Sequence, residues 1–145
     1  MLHRSVLQEL DAQLRRHHRL AVTEFDVLIT LFNAPDHRLR MSQLAERVLL
    51  SPAGTTHLVT RLERDGLVRR EIDAEDRRKW FTVLTDQGNE ALKAARPTHN
   101  EVLRRTLLAA TSPTDRRTLR RIWQRLSAQT PNPVGGGERD RATDA

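Results

Sequence analysis

Between Leu39 and Leu84 the spacing of apolar residues changes period twice, and this change limits the folds open to the chain. Leu44, Ala45 and Val48 follow helical spacing behind Ser42, which predicts a short helix capped by Ser42. Ser51-Pro52 then places a capping serine before a proline at the first helical position, and Gly66 supplies a stop. A second helix is therefore predicted from Pro52 to about Asp65. LVRREI at 67–72 alternates weakly, and KWFTVL at 79–84 is rich in aromatic and β-branched residues. With the charged DAEDRR between them, they predict two antiparallel strands and a polar loop. Leu39 to Met41 is a short extended piece. Two short helices, a tight turn and an immediate hairpin define a winged helix-turn-helix, mainly α with a small β-hairpin wing.

The flanks are helical. Leu7, Leu10 and Leu14 predict an amphipathic helix over 4–18. Thr23 is expected to cap a second helix with Phe25, Leu28, Leu31 and Phe32 as its buried stripe, ending by Pro35. Thr85 is expected to cap a long fifth helix to about Ala110, kinked or broken at Pro97. A sixth starts near Pro113 with Leu119, Ile122, Trp123 and Leu126 on one face. A winged helix of roughly 60 residues cannot cover both outer stripes, so Leu7, Leu10 and Leu14 are expected to pair with the sixth-helix stripe across a two-fold axis. The division that follows is a helical dimerisation domain at 1–22 and 86–129, a DNA-binding winged helix-turn-helix at 23–85, and a tail at 130–145. The tail, rich in Pro, Gly and charge, is expected to be disordered.

Charge and composition narrow the partners. The net charge is +6, and all but two of the 25 basic residues are arginine, a side chain suited to bidentate phosphate and guanine contacts. A polyanion is the favoured partner, double-stranded DNA first. With no cysteine, disulfides, thiolate zinc sites and cysteine redox sensing are excluded. The histidines lack metal-ligand spacing, so no metal and no cofactor are expected. Neither a nucleophile elbow nor a Gly-rich phosphate loop is present, so the chain does not read as an enzyme. Apolar runs fall short of the ~20 residues that span a bilayer, and MLHRSVLQELDAQLRR carries charge through its middle, unlike a signal peptide. The expected compartment is the cytoplasm.

The fourth helix sorts into two faces. At about 3.6 residues per turn, Thr55, Leu58, Val59 and Leu62 fall together as core, and Ala53, His57, Thr60, Arg61 and Arg64 fall opposite, with Gly54 and Thr56 at the boundary. The exposed side is small at its start and hydrogen-bonding along its length. Ser51, Pro52 and the free amides of the helix start suit a phosphate. At the hairpin tip, an arginine can enter a minor groove, and Asp76 makes more sense stiffening the wing by pairing with Arg78 than facing DNA. A solvated helix face and a solvated turn have the same pattern. A winged helix that binds DNA with little sequence preference, or binds a protein, is the alternative function.

The segment LRMSQLAERVLLSPAGTTHLVTRLERDGLVRREIDAEDRRKWFTVLTDQG, Leu39 to Gly88, resembles the MarR family of bacterial regulators. The elements LAER…LSP…LV.RLE..GLV.R and D.RR…LT..G carry the likeness, and the flanking helices match in order. The resemblance implies a homodimeric transcription regulator, in the first instance a repressor, with a palindromic operator. It implies a dimer domain from the first and last two helices and a fourth helix, Pro52 to Arg64, in the major groove. It further implies Arg77 or Arg78 in the minor groove, an Asp76–Arg78 wing pair, and release by a small aromatic acid or phenol. An effector pocket is then expected between the second helix and the start of the fifth. One departure stands out: the family's usual glycine between the third and fourth helices is Leu49 here, which predicts a strained turn.

Overall fold

The computed structural model describes residues 2–108 and 111–129. The tail at 130–145, expected to be disordered, lies outside the described residues, as do the side chains of Leu119, Trp123 and Leu126. The chain runs α1 (Leu2–His18), α2 (Val22–Phe32), β1 (Arg38–Arg40), α3 (Met41–Val48), α4 (Pro52–Arg64), β2 (Val68–Ile72), β3 (Trp80–Leu84), α5 (Asp86–Leu103) and α6 (Pro113–Gln129). A π-helical turn, Arg104–Leu108, follows α5. The sheet is antiparallel in the order β1-β3-β2, with Leu39 opposite Thr82 and Arg70 opposite Thr82 on the other side. Among the described residues no helix is long and apolar enough to cross a membrane.

One apolar cluster runs through the fold. It takes Leu10 and Leu14 from α1, Phe25, Leu28 and Leu31 from α2, and Leu44 from α3. Leu58, Val59 and Leu62 come from α4, Val68 and Leu84 from the sheet, and Leu92, Ala95 and Val102 from α5. Removing each large aliphatic side chain from water contributes on the order of 2 kcal/mol. The placement of Leu10 and Leu14 corrects an expectation. Both are buried within their own chain, where α1 lies along α5, and only Leu7 of that stripe is exposed, at 42 %. The stripe predicted to wait for a second subunit is already two-thirds spent, because a long α5 returns antiparallel to α1.

Three further local expectations are corrected. Thr23 does not cap α2. The N-cap is Ala21, and the buried Glu24 carboxylate accepts its amide at 2.7 Å while Asp11 accepts the Val22 amide at 2.9 Å. Ser42 does not cap α3 either. Arg40 is the N-cap, with its amide bound by the Gln43 side chain at 3.1 Å. In both cases the third helical residue reaches back to the cap backbone, a role that an alanine or arginine at the cap position conceals. Pro97 does not break α5, which runs on past it to Leu103. It lies on the exposed face, so the Lys93 carbonyl it leaves without a donor is open to water, which removes most of the usual penalty.

Other local predictions hold. Ser51 caps α4 by accepting the Gly54 amide at 3.1 Å, and Thr85 caps α5 by accepting the Gly88 amide at 3.0 Å. Gly66 has φ of 75°, the left-handed stop a helix end needs. Leu49 sits at φ 54°, ψ 38°, with 90 % of its surface exposed. A left-handed L-residue costs about 1–2 kcal/mol, and this side chain recovers nothing by packing. Leu49→Gly should therefore raise the melting temperature by about 3 °C, reflecting a net gain near 1 kcal/mol after the extra entropy of the unfolded glycine. An unchanged or lower melting point would show that the turn is not strained.

Candidate nucleic-acid interface

α4 presents two faces as its periodicity requires. Thr55, Leu58, Val59 and Leu62 are buried, and Ser51, Pro52, Ala53, Thr56, His57, Thr60 and Arg64 are exposed, with Gly54 and Arg61 half-buried. The exposed members differ in how free they are. His57 has no hydrogen-bond or charge partner among the described residues, and Ala53 offers only its methyl group. Thr56 and Thr60 return their hydroxyl protons to the carbonyls of Pro52 (2.9 Å) and Thr56 (2.8 Å), a back-bond that leaves only acceptor capacity. Thr60 also accepts from Arg70 Nη2 at 2.7 Å.

The two arginines of this helix separate as well. Arg61 turns toward α2 and meets Glu24 at 2.5 Å. Glu24 is 5 % exposed and also holds the start of α2. One carboxylate thus ties the first turn of α2 to the middle of α4, and Arg61 orients the helix more than it faces outward. Arg64 pairs with Asp65 at 3.0 Å, but both side chains are well exposed, so that contact is worth at most about 1 kcal/mol and yields readily to a stronger anion.

The wing rests on a buried acid. Asp73, 3 % exposed, accepts Arg40 Nε at 2.9 Å and Nη2 at 2.6 Å through one oxygen, and the Glu75 amide at 2.9 Å through the other. That amide and the Arg40 guanidinium hold its carboxyl below the usual carboxylate range. The guanidiniums of Arg38 and Arg40 also stack over the Phe81 ring at 4.7 and 5.4 Å. Asp73 bonds its own amide to the Lys79 carbonyl (3.0 Å), and Lys79 bonds its amide to Asp76 (2.8 Å), which closes the loop.

The Asp76–Arg78 pair takes a different form from the one expected. Asp76 accepts the backbone amide of Arg78 at 3.1 Å, and its ion pair is with Lys79 at 3.3 Å. Both contacts lower its carboxyl, the amide first. A carboxylate two residues before an amide closes locally onto it, and the Arg78 guanidinium meets no carboxylate among the described residues. Arg77 and Arg78 are exposed and pair with no acid among the described residues, whereas Arg38, Arg40, Arg61, Arg64, Arg69 and Arg70 each meet a carboxylate. The surface therefore combines a capped helix start, a free His57 and two uncompensated guanidiniums on a braced tip.

Between α2 and the middle of α5, Phe25 stacks on His99 at 4.5 Å, the Arg96 guanidinium covers Phe32 at 5.1 Å, and Leu92 and Ala95 are fully buried. A cavity of about 320 Å³ lies between α1 and α5, lined by Gln13, Pro97, Thr98, Glu101, Val102 and Arg105.

Sequence reasoning missed Glu24, Arg40 and Asp73. Each looks like an ordinary surface charge, and each does its work through a partner more than thirty residues away.

Comparison with known proteins agrees with this architecture. The MarR family profile matches residues 20–80. The chain is 40 % identical over 80 residues to the HTH-type transcriptional repressor YetL of Bacillus subtilis, covering 55 % of this chain and 48 % of the relative. It is 31 % identical over 104 residues to the transcriptional repressor MprA of Escherichia coli, covering 72 % and 58 %. The chain thus spans about half the length of the curated relatives it matches. Among solved structures, Sco3205, a MarR family transcriptional regulator from Streptomyces coelicolor in complex with DNA, superposes with a TM-score of 0.77 at 30 % identity, covering 92 % of this chain and 84 % of that one. AbsC, a MarR family regulator from the same organism, gives 0.74 at 31 % identity, covering 88 % of each.

Proposed function

Because the chain belongs to the MarR family, we propose that it is a sequence-specific DNA-binding transcription regulator, a repressor, that binds a palindromic operator as a homodimer. The observation that carries this reading is the exposed, capped start of α4 beside a wing tip whose Arg77 and Arg78 have no acidic partner among the described residues. A neighbouring structure of the same fold bound to DNA supports it. Residues 23–85 would read the duplex. The dimer would be built by α6, the C-terminal end of α5 and the outer face of α1, where Leu7 is exposed. Release by a small aromatic or phenolic ligand belongs to the same reading, and the cavity between α1 and α5 offers space for one.

Recognition helices enter the major groove with their N-terminal residues toward the base edges. His57, free and one turn inside α4, is the side chain placed to read a base, and Arg64, further along and loosely paired, is placed to meet a phosphate. Binding-site selection on random duplexes tests this. The wild type should recover a two-fold motif with half-sites centred about one helical turn apart. His57→Ala should change the preferred base at one position per half-site, costing about 1–3 kcal/mol there. Arg64→Ala should weaken specific and non-specific binding about equally. Binding at low salt with no recovered motif would mean an architectural role, and no binding at all would mean a protein partner.

A further inference from the structure

Beside α4 the wing carries an apolar pair that the described residues leave half-exposed. Ile72 and Trp80 stand directly opposite each other at the far end of β2 and β3, 52 % and 43 % exposed. Their side of the sheet is the core side. Val68 opposite Leu84, and Thr82 opposite Arg70, share that face, and Val68, Thr82 and Leu84 are buried against the helices. Ile72 and Trp80 thus carry the core face outward past the core. Trp80 lines a cleft of about 390 Å³ with Met41, Thr56 and Arg70, between the recognition face of α4 and the wing, and Ile72 stands across the ladder from it.

Several features of this place point to a binding role. The chain has only two tryptophans and no tyrosine, and one of its few aromatic rings is spent on a half-exposed site. The pair is held in position, because the strand ends beside it are clamped by Asp73 through Arg40 and the Lys79 carbonyl. It is flanked by positive charge: Arg70 on one side, fixed by Thr60 at 2.7 Å and Glu63 at 3.4 Å, and Arg77 and Arg78 at the tip. Exposed contiguous apolar surface rimmed by polar groups marks an interaction site, and tryptophan is the side chain most often found carrying such contacts.

We propose that Ile72 and Trp80 form an apolar shelf on which the deoxyribose rings of one DNA strand pack, the indole supplying most of the contact area and Arg70 standing beside the adjoining phosphates. This rests on the reading of α4 and the wing as the DNA interface. A duplex with α4 in its major groove and the wing tip in the neighbouring minor groove must run the backbone between them across this cleft. Sugar rings present apolar edges of the same kind at every nucleotide, so the shelf adds affinity without sequence preference. It also seats the duplex at a set distance from His57.

The test uses the duplex recovered by selection with the wild-type protein. Binding is read by anisotropy of the labelled DNA and the contact by tryptophan fluorescence. Duplex binding should shift the wild-type emission and shield it from acrylamide, and Trp80→Phe should remove most of that response while weakening binding less than about threefold. Trp80→Ala should weaken binding about tenfold, as loss of an aromatic stacking contact does, with the same selected motif and the same salt slope. Arg78→Ala, in contrast, should flatten the slope. Wild-type binding that leaves tryptophan emission and quenching unchanged, or a Trp80→Ala affinity equal to wild type, overturns the shelf and leaves the DNA reading intact. Shielding that grows with protein concentration in the absence of DNA, and that Trp80→Phe abolishes, overturns it in favour of a second copy of the chain. If no duplex changes the anisotropy, the shelf and the DNA reading fall together. Should Trp80→Ala melt well below the wild type, the quenching comparison with Trp80→Phe decides alone.

Discussion

Ile122→Asp should convert a dimer into monomers and lower affinity for a two-half-site operator by about a thousandfold, the loss expected when two linked binding events become independent. α6 is a helix of 17 residues, a length at which isolated helices are marginal in water. Among the described residues it has no extensive packing against any other element of its own chain. Arg117, Arg121 and Arg125 follow one another at intervals of four and repel along the helix. Such a helix needs a surface to lie on, and Ile122, 45 % exposed, sits about a quarter turn round the helix from that arginine row. In a monomeric protein, an aspartate at this exposed position would change little. In a dimer it places a charge in an apolar seam and costs several kcal/mol per interface. Light scattering at micromolar concentration, paired with operator titration, measures both effects. A variant that keeps the wild-type mass and affinity would show that α6 does not build the interface.

Gly88→Ala should lower stability by about 3 kcal/mol or more, a large share of the 5–15 kcal/mol that holds a domain of this size together. Gly88 lies in the first turn of α5, where the helix crosses the end of β2. A methyl group built there would stand 2.0 Å from the Leu67 carbonyl oxygen and 2.9 Å from the Leu84 side chain. The first of these is backbone, so no rotamer change relieves it. The same corner is tied by Thr85, whose amide bonds the Leu67 carbonyl at 3.2 Å and whose hydroxyl donates to the Gly66 carbonyl at 2.7 Å. Moving α5 away to admit a methyl group would break these bonds and open the core at Leu92. Gly54→Ala is the control, since its methyl would meet the Ser51 hydroxyl at 3.1 Å and Leu50 Cβ at 4.0 Å, so the most it can cost is the Ser51 cap, about 1 kcal/mol. Denaturant melts of the two variants should separate clearly. Equal stability would show that the crossing of β2 and α5 has slack.

These two positions differ in how legible they are. The Thr85-x-x-Gly88 spacing can be read as a helix start, but the close approach that forbids a side chain involves Leu67, twenty-one residues earlier. Ile122 reads as one member of an apolar stripe on α6 whose other side chains lie outside the described residues. The matching stripe on α1 misleads, because Leu10 and Leu14 have the same spacing whether they meet a second subunit or the α5 of their own chain.

The sequence by itself determined the order of elements, the stop at Gly66, the caps at Ser51 and Thr85, and the division of α4 into a buried and an exposed face. All of these follow from interactions within a turn or two of chain, where spacing and residue type suffice. The tertiary structure alone decided which charged groups on the outer face of α4 and the wing are free. Arg61 and Arg77 look alike as residues, yet Arg61 is bound by Glu24, 37 positions away, while Arg77 meets no acid among the described residues. The wing is likewise held by Arg40 and Asp73, 33 positions apart, and not by the adjacent Asp76 and Arg78 side chains. An ion pair depends on where two side chains arrive once the core has closed, and local spacing carries no record of that distance.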